Sequence, residues 1–335
     1  MPYMVKSRLV MDNKIKIGVT CVGSVVGQGI IRSIQRSAFA DDVKIVGFDY
    51  FQDVPGARWV DSFHVMPDIL DQNIEEEKYI SALIGHLKTE NIKILFIGIG
   101  FELPMMAKFK ERIETETGCV VVVSDTRIIA TALDKYKTFL FLKDNALSYP
   151  KTWLPKDKND VLFPAIVKPR RGTGSKGLSF VNSKQELQKA LSNTNNPVIQ
   201  ENVGTQDEEY TCGVVFMNGE LKSSICLRRY LKSGNTNIAI HSKELPNGLS
   251  EYVADVASKL RPFGPANFQI RIAKDGAPKL FEINPRFSGT TGARSLFGVN
   301  EVEIIMEVLL GKPVAKREKT YGKIVKYLED ILIPE

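Results

Sequence analysis

The chain has 335 residues, 43% of them hydrophobic and 25% charged, an average balance that excludes disordered and fibrous classes. Its length allows two or three domains, since single cores stop growing near roughly 250–300 residues. The formal charge of +6 arises from Lys and Arg interleaved with 39 acids, without the clusters that nucleic-acid binding needs.

No export signal or membrane span is indicated, because no apolar run approaches the roughly 18 residues a spanning helix requires. Cys21, Cys119, Cys212 and Cys226 are scattered and form no CxxC pair. That usage fits reduced core thiols and a cytoplasmic protein.

From Lys14 to about Val123, short apolar strands alternate with amphipathic helices. IKIGV (15–19), VKIVGF (43–48), KILFIG (93–98) and CVVVV (119–123) are β-rich runs without strict alternation, as strands buried on both faces require. Ile80, Leu83, Ile84 and Leu87 recur at helical spacing, so a helix packs back on the sheet. The pattern predicts an open parallel α/β domain. Its first loop, GVTCVGSVVGQG, has a dinucleotide-like look, with Asp49 where a ribose-binding acid would sit. The spacing fails because Arg32 occupies the third glycine position, and a glycine-rich turn entering a helix is the better reading.

A helical connector follows Asp125, and PKTWLP (150–155) marks a domain break. The next unit reads as strand FPAIVKP, a glycine loop, strand GLSFV, a helix opened by a Ser183–Glu186 capping box, and strand VIQEN at 198–202. Beyond it the chain reads as antiparallel. Asn218-Gly219 joins EYTCGVVFM to ELKSSICL, and Asp275-Gly276 joins NFQIRIA to PKLFEIN.

Two stretches carry chemistry. KPRRGTGSKG, 168–177, has the glycines a phosphate cradle needs but lacks the Walker order, so a flap closing over a triphosphate fits it better, with Lys168 and Lys176 supplying positive charge. A flexible basic surface hairpin would look similar. In LFEINPRFSGTTGAR, a two-residue turn at Asp275-Gly276 places Gln269 opposite Glu282 and Asn267 opposite Asn284. Residues two apart share a strand face, so these oxygen donors converge. Mg²⁺, or Mn²⁺ in its place, is the expected ion, with Glu282 and Asn284 as ligands and Gln269 as a third candidate. Arg286, on the same face, would neutralise charge on a transferred phosphoryl group, and Lys176 is the other catalytic candidate. Ser288, Gly289 and Thr290 should open a helix whose free N–H groups could receive a substrate anion, or simply cap it. Arg228 and Arg229, beside a flexible KSGNTN loop, are candidates for holding an acidic substrate.

The ordered set Lys135, Lys168, the glycine flap, Gln200-Glu201-Asn202, Glu209, Gln269 and FEINPRFSG resembles the ATP-grasp superfamily, especially the carbamoyl-phosphate-synthase large-subunit type, over about residues 15–312. This resemblance implies an α/β and α+β protein with an ATP-grasp fold. It would comprise a Rossmann-like pre-ATP-grasp domain (1–125, with 1–13 flexible), a connector helix and mobile lid (126–200), a C-terminal catalytic subdomain with an antiparallel sheet (201–318) and a tail (319–335). It implies ATP as cofactor, with Lys135 and Lys168 on phosphates and Gly172, Thr173, Gly174, Ser175 and Gly177 in the flap. Glu201, Asn202 and Val203 would edge the adenine, and Glu209 would bind ribose. Without the resemblance, Lys135 reads as a helix-surface lysine, and Glu201 and Glu209 as exposed strand-end acids. Only one grasp unit is present, and Gly289 stands where those synthases carry an arginine.

The implied activity is an ADP-forming ligase that joins a small-molecule carboxylate to an amine through an acyl phosphate, working without nucleic acid or membrane and often as a homodimer. An ATP-binding sensor without turnover is the alternative of another class, a carbamoyl-phosphate-synthase-like subunit a further one, and a nicotinamide oxidoreductase using the first loop a third.

Overall fold

The computed structural model describes residues 14–172, 177–327 and 329–332. Residues 1–13 and Thr173, Gly174, Ser175 and Lys176, which the sequence reading assigned to the flap, therefore lie outside the described residues.

The first unit runs β1 (Ile15–Val19), α1 (Val25–Gln35), β2 (Val43–Asp49), β3 (Ser62–Val65), α2 (Glu76–Glu90), β4 (Ile94–Phe96), α3 (Leu103–Thr117) and β5 (Val120–Val122). Its five strands are all parallel in the order β3-β2-β1-β4-β5. The helical period read from the sequence buries Ile80, Leu83, Ile84 and Leu87 on one face of α2. The glycine-rich first loop is a packing device. Ser24 caps α1, and a Cβ on Gly27 would lie 2.2 Å from the Cys21 carbonyl oxygen. The Asp49 carboxylate accepts the backbone N–H groups of Gly23 (2.8 Å) and Phe51 (3.2 Å), so it braces this turn.

After α4 (Thr126–Ala132) and α5 (Lys135–Asp144), the chain forms β6 (Thr152–Trp153), β7 (Ala165–Pro169), β8 (Ser179–Val181), α6 (Lys184–Ser192) and β9 (Pro197–Glu201). These four strands pair antiparallel in the order β6-β9-β7-β8 and cover a small core of their own around Val167, Leu187 and Ile199. The Ser183 hydroxyl accepts the Glu186 N–H, and the Glu186 carboxylate accepts the Asn182 N–H.

The third unit contains β10 (Glu209–Met217), β11 (Glu220–Lys232), β12 (Asn235–His241), α7 (Leu249–Leu260), β13 (Gly264–Ile272), β14 (Pro278–Asn284), α8 (Thr291–Leu296), α9 (Glu301–Leu309) and β15 (Gly322–Val325). Its six-stranded sheet has the order β14-β13-β10-β11-β12-β15. Strand alternation divides its two faces: Cys212, Val214 and Phe216 of β10 pack with α7, whereas Val215 and Met217 pack with α9. Two segments differ from the sequence reading. Ser233 and Gly234, in the stretch expected to be a flexible loop, form the positive-φ turn between β11 and β12, and β15, in the stretch expected to be a tail, pairs with β12.

The first and third units share one core, in which the Phe96 and Phe287 rings meet edge-on at 5.5 Å. Polar contacts fix α1 against α8 and α9. Arg36 donates to the Gly292 carbonyl (2.8 Å), and Asn300 donates to the Ser33 carbonyl (2.7 Å). α9 is buried on all sides, and its acids Glu301, Glu303 and Glu307 each pair with an arginine, as buried charges require.

Candidate active site

A cavity of about 370 Å³ lies between the two antiparallel sheets, a size that suits a cofactor-scale ligand. Its lining combines apolar side chains, Ile166, Phe180, Val203, Leu231 and Phe281, with the polar set Lys135, Lys168, Arg229, Gln269, Arg271 and Glu282. Phe281 lies beside that set, its ring 5.5 Å from Lys168 Nζ. Phe180 and Leu231 remain 52% and 43% exposed, so the cleft keeps apolar surface open to a flat, hydrophobic group.

Part of the polar set comes from the hairpin of β13 and β14. Gln269 pairs with Glu282 and Asn267 with Asn284, as expected, but by another route. The turn contains three residues: Ala273 N–H donates to the Ala277 carbonyl, and Gly276 has φ +81°. That shifts the register by one residue, and a bulge between Gln269 and Ile270 restores it. The bulge has a second effect. Leu280 and Ile283 both face the α7 core, leaving the intervening Phe281 and Glu282 together on the cleft side.

Lys168 is 7% exposed and donates to Gln200 Oε1 at 2.7 Å. Burial first, then the neighbouring Lys135 charge, lowers its ammonium to about 7, with Glu282 and Glu209 opposing and Arg271 assisting the shift. A bound polyphosphate favours the charged form. Nucleotide binding should therefore be independent of this group below pH 7, take up a proton above it, and weaken by up to about tenfold per pH unit. Calorimetry with MgADP in buffers of different ionisation enthalpy reads the uptake. Lys168→Gln should abolish it and weaken binding about 10- to 100-fold; unchanged proton uptake in that variant would remove Lys168 from the phosphate site.

Lys135 is not a helix-surface lysine. Its backbone N–H donates to the Arg170 carbonyl (3.1 Å) and its Nζ to the Gly172 carbonyl (2.9 Å). Asp134, the N-cap of α5, accepts Arg170 Nε at 2.7 Å. The start of α5 thus holds the root of the glycine hairpin. Gly172 and Gly177 have φ +139° and +70°, values glycine tolerates.

Glu201 lines the cleft, accepts the Lys151 N–H, and pairs with Lys279 at 2.9 Å. Val203 lines the cleft too, whereas Asn202 is absent from the lining and its Oδ1 is buried without a partner among the described residues. Both oxygens of Glu209 are engaged, Oε1 by Arg229 and Oε2 by Arg271 at 2.8 Å. Glu209 therefore orders two guanidinium groups at the cleft wall. Arg228 and Arg229 diverge: Arg229 enters the cleft and donates to Gln269 Oε1 (3.0 Å), while Arg228 Nε donates to the Asp207 carbonyl at 2.6 Å.

Beyond the strand, Arg286 donates to Asn284 Oδ1 at 3.0 Å and to the Phe287 carbonyl at 2.6 Å. It packs on Gly100 of the first unit, where a Cβ would lie 3.2 Å from its Nε. Ser288 and Thr290 are buried and bonded to each other at 2.7 Å. Gly289 offers its carbonyl to Lys326.

The sequence reading missed Arg294. Fully buried, it pairs with Glu301 at 2.8 Å and donates to Thr211 (3.3 Å) and Asn267, the residue opposite Asn284. Gly213 makes the space, since a Cβ there would lie 2.2 Å from Glu301 Oε1. The only local signal was a glycine inside an otherwise β-rich strand.

Among the described residues, no three His, Cys, Asp or Glu side chains are placed to share a metal ion. The oxygen set of the hairpin is one carboxylate, Glu282, bonded to Asn284 Nδ2 at 3.0 Å, with Gln269 opposite. This set fits Mg²⁺, which takes one or two carboxylates and leaves other positions to phosphate and water.

Three comparisons bear on this arrangement. Residues 204–331 match a family model described as ATP-grasp in the biosynthetic pathway with Ter operon. The chain is 29% identical over 147 residues to a D-alanine–D-alanine ligase of Fusobacterium nucleatum, covering 44% of this chain and 48% of that protein. It is 25% identical over 246 residues to a carbamoyl-phosphate synthase of Methanobrevibacter smithii, covering 67% and 65%. These matches span about half to two-thirds of the relatives' own lengths. The solved ADP complex of an N5-carboxyaminoimidazole ribonucleotide synthetase superposes with TM-score 0.72 at 14% identity, over 92% of this chain and 79% of that one. The chain shares the fold of that synthetase, and its residues 204–331 match an ATP-grasp family model. Its likeness to carbamoyl-phosphate synthase agrees with the resemblance carried by the FEINPRFSG stretch. No helix among the described residues is long and apolar enough to cross a membrane.

Proposed function

We propose that the chain is an ADP-forming ligase that joins a small-molecule carboxylate to an amine. The observation that carries this reading is Glu282 in the lining of a cleft that combines apolar and cationic side chains, bonded to Asn284, which Arg286 in turn reaches. The family model, which describes biosynthetic ATP-grasp proteins, and the two ATP-grasp relatives support it. The nucleotide base would lie against Phe180, Val203 and Leu231, and the phosphates would extend toward Lys135 and Lys168.

A carboxylate oxygen attacks the γ-phosphorus, the bond to the β-phosphate oxygen breaks, and ADP leaves. The amine nitrogen then attacks the acyl carbon, phosphate departs, and the nitrogen gives up one proton. Glu282 and Asn284, with Gln269 behind them, would hold Mg²⁺, which when bound neutralises charge on the phosphate oxygens. Arg286 stabilises charge on the transferred group, and Lys135 holds the glycine hairpin over it. Catalysis is positioning and electrostatics, without a covalent protein nucleophile.

The test measures ADP release from MgATP against paired panels of carboxylates and amines. Release should depend on one member of each panel. Tight MgATP binding with no substrate-dependent release would point instead to a non-catalytic nucleotide binder.

A further inference from the structure

Gly289 forms a junction between distant parts of the chain. A Cβ built there would lie 3.4 Å from Val25 in the first turn of α1 and 3.8 Å from Lys326 Nζ. Lys326 follows β15, and its backbone N–H donates to the Asn237 carbonyl (2.9 Å), so the edge pairing of β15 with β12 delivers it. Its ammonium is half-buried and donates to the Gly289 carbonyl.

No acid balances this charge among the described residues. The first turn of α1 contains no acid, and Arg294, the charge that acts on Lys326, is a cation already paired with Glu301. Burial first and Arg294 second push the Lys326 ammonium below its ordinary value. An ammonium has three donors, and the Gly289 carbonyl takes one. Holding such a group partly out of water, beside a like charge and without a counter-ion, is unfavourable. An anion from solution would remove that cost. The loop runs on from Arg286, the group proposed to serve phosphoryl transfer.

We propose that Lys326 is a specificity residue that binds the non-reacting carboxylate of an amino-acid or dicarboxylic-acid substrate at the junction of α1 and the 286–291 loop. The proposal rests on the ligase reading for the word substrate, but the anion site itself does not need turnover. The activated carboxylate must reach the γ-phosphate, whereas Lys326 holds a second one and thereby sets which substrates fit.

The test follows thermal unfolding of nucleotide-free protein titrated with L-alanine, L-glutamate, succinate and acetate, with L-alaninamide as the control that lacks a carboxylate. At least one carboxylate should raise the unfolding temperature with dose, and L-alaninamide should not. Lys326→Gln and Lys326→Met should each weaken that response by at least about tenfold, while Lys326→Arg stays close to wild type. Both neutral variants should keep the wild-type stabilisation by MgADP, which shows that they are folded. Equal carboxylate responses in wild type and Lys326→Gln, or no response of wild type to any of the four, overturns the proposal. Loss of the MgADP response in wild type, with the carboxylate response intact and Lys326-dependent, would sink the ligase reading and leave the anion site standing.

Discussion

Glu282→Gln should weaken magnesium-nucleotide binding about 10- to 100-fold and lower substrate-dependent ADP release by roughly two to three orders of magnitude. Glu282 is the only carboxylate in the hairpin's oxygen set, and glutamine preserves its shape while removing its charge. Its bond with Asn284 is replaceable by the amide, so the melting temperature should move by no more than about 1–2 °C. Affinity for ADP without magnesium should stay near wild type, because the lost charge acts through the cation. Calorimetric titrations with and without magnesium separate these effects. Magnesium-dependent affinity within twofold of wild type would exclude Glu282 as a ligand.

Arg294→Met should be the most destabilising single change in the supporting structure, at about 3–5 kcal/mol. Arg294 and Glu301 are 0% and 1% exposed, and removing the guanidinium strands a buried carboxylate with the Thr291 hydroxyl as its remaining side-chain partner at 2.8 Å. Asn267 and Thr211 lose their donor as well. Replacing both charges, in Arg294→Met with Glu301→Leu, should recover most of the loss, since apolar substitutes for a buried pair are often neutral. Chemical denaturation reads both variants. A loss below about 1 kcal/mol for the single change would show that the pair is not holding β10, β13, α8 and α9 together.

The hairpin of β13 and β14 shows why local reading succeeds and where it stops. Alternation and an Asp-Gly turn signal were enough to put Gln269 opposite Glu282. The three-residue turn and the bulge at Phe281 were invisible, because a bulge is selected by packing on both sheet faces and leaves no short-range mark. The two effects cancel at the metal-proposed end, while Phe281 enters the cleft only because of the bulge.

The same limit explains Lys135 and Glu209. Each has an ordinary local context, on a helix start and at a strand end. Their partners, Gly172 for Lys135 and the arginines at 229 and 271 for Glu209, lie 20 to 62 residues away. Strand β12 and the edge strand β15 were missed for a related reason: polar, short strands carry little hydrophobic pattern and are defined by the neighbour they pair with.

By itself the sequence determined the parallel first sheet, the antiparallel hairpins and the short list of oxygen and nitrogen donors, because periodicity and turn chemistry act over a few residues. Tertiary structure alone decided which donors meet, which are already satisfied, and which cation is left over. Lys326 reaches the Gly289 carbonyl across 37 residues, and Arg36 reaches Gly292 across 256. Contacts at such separations depend on how whole sheets and helices dock, and no local preference encodes that.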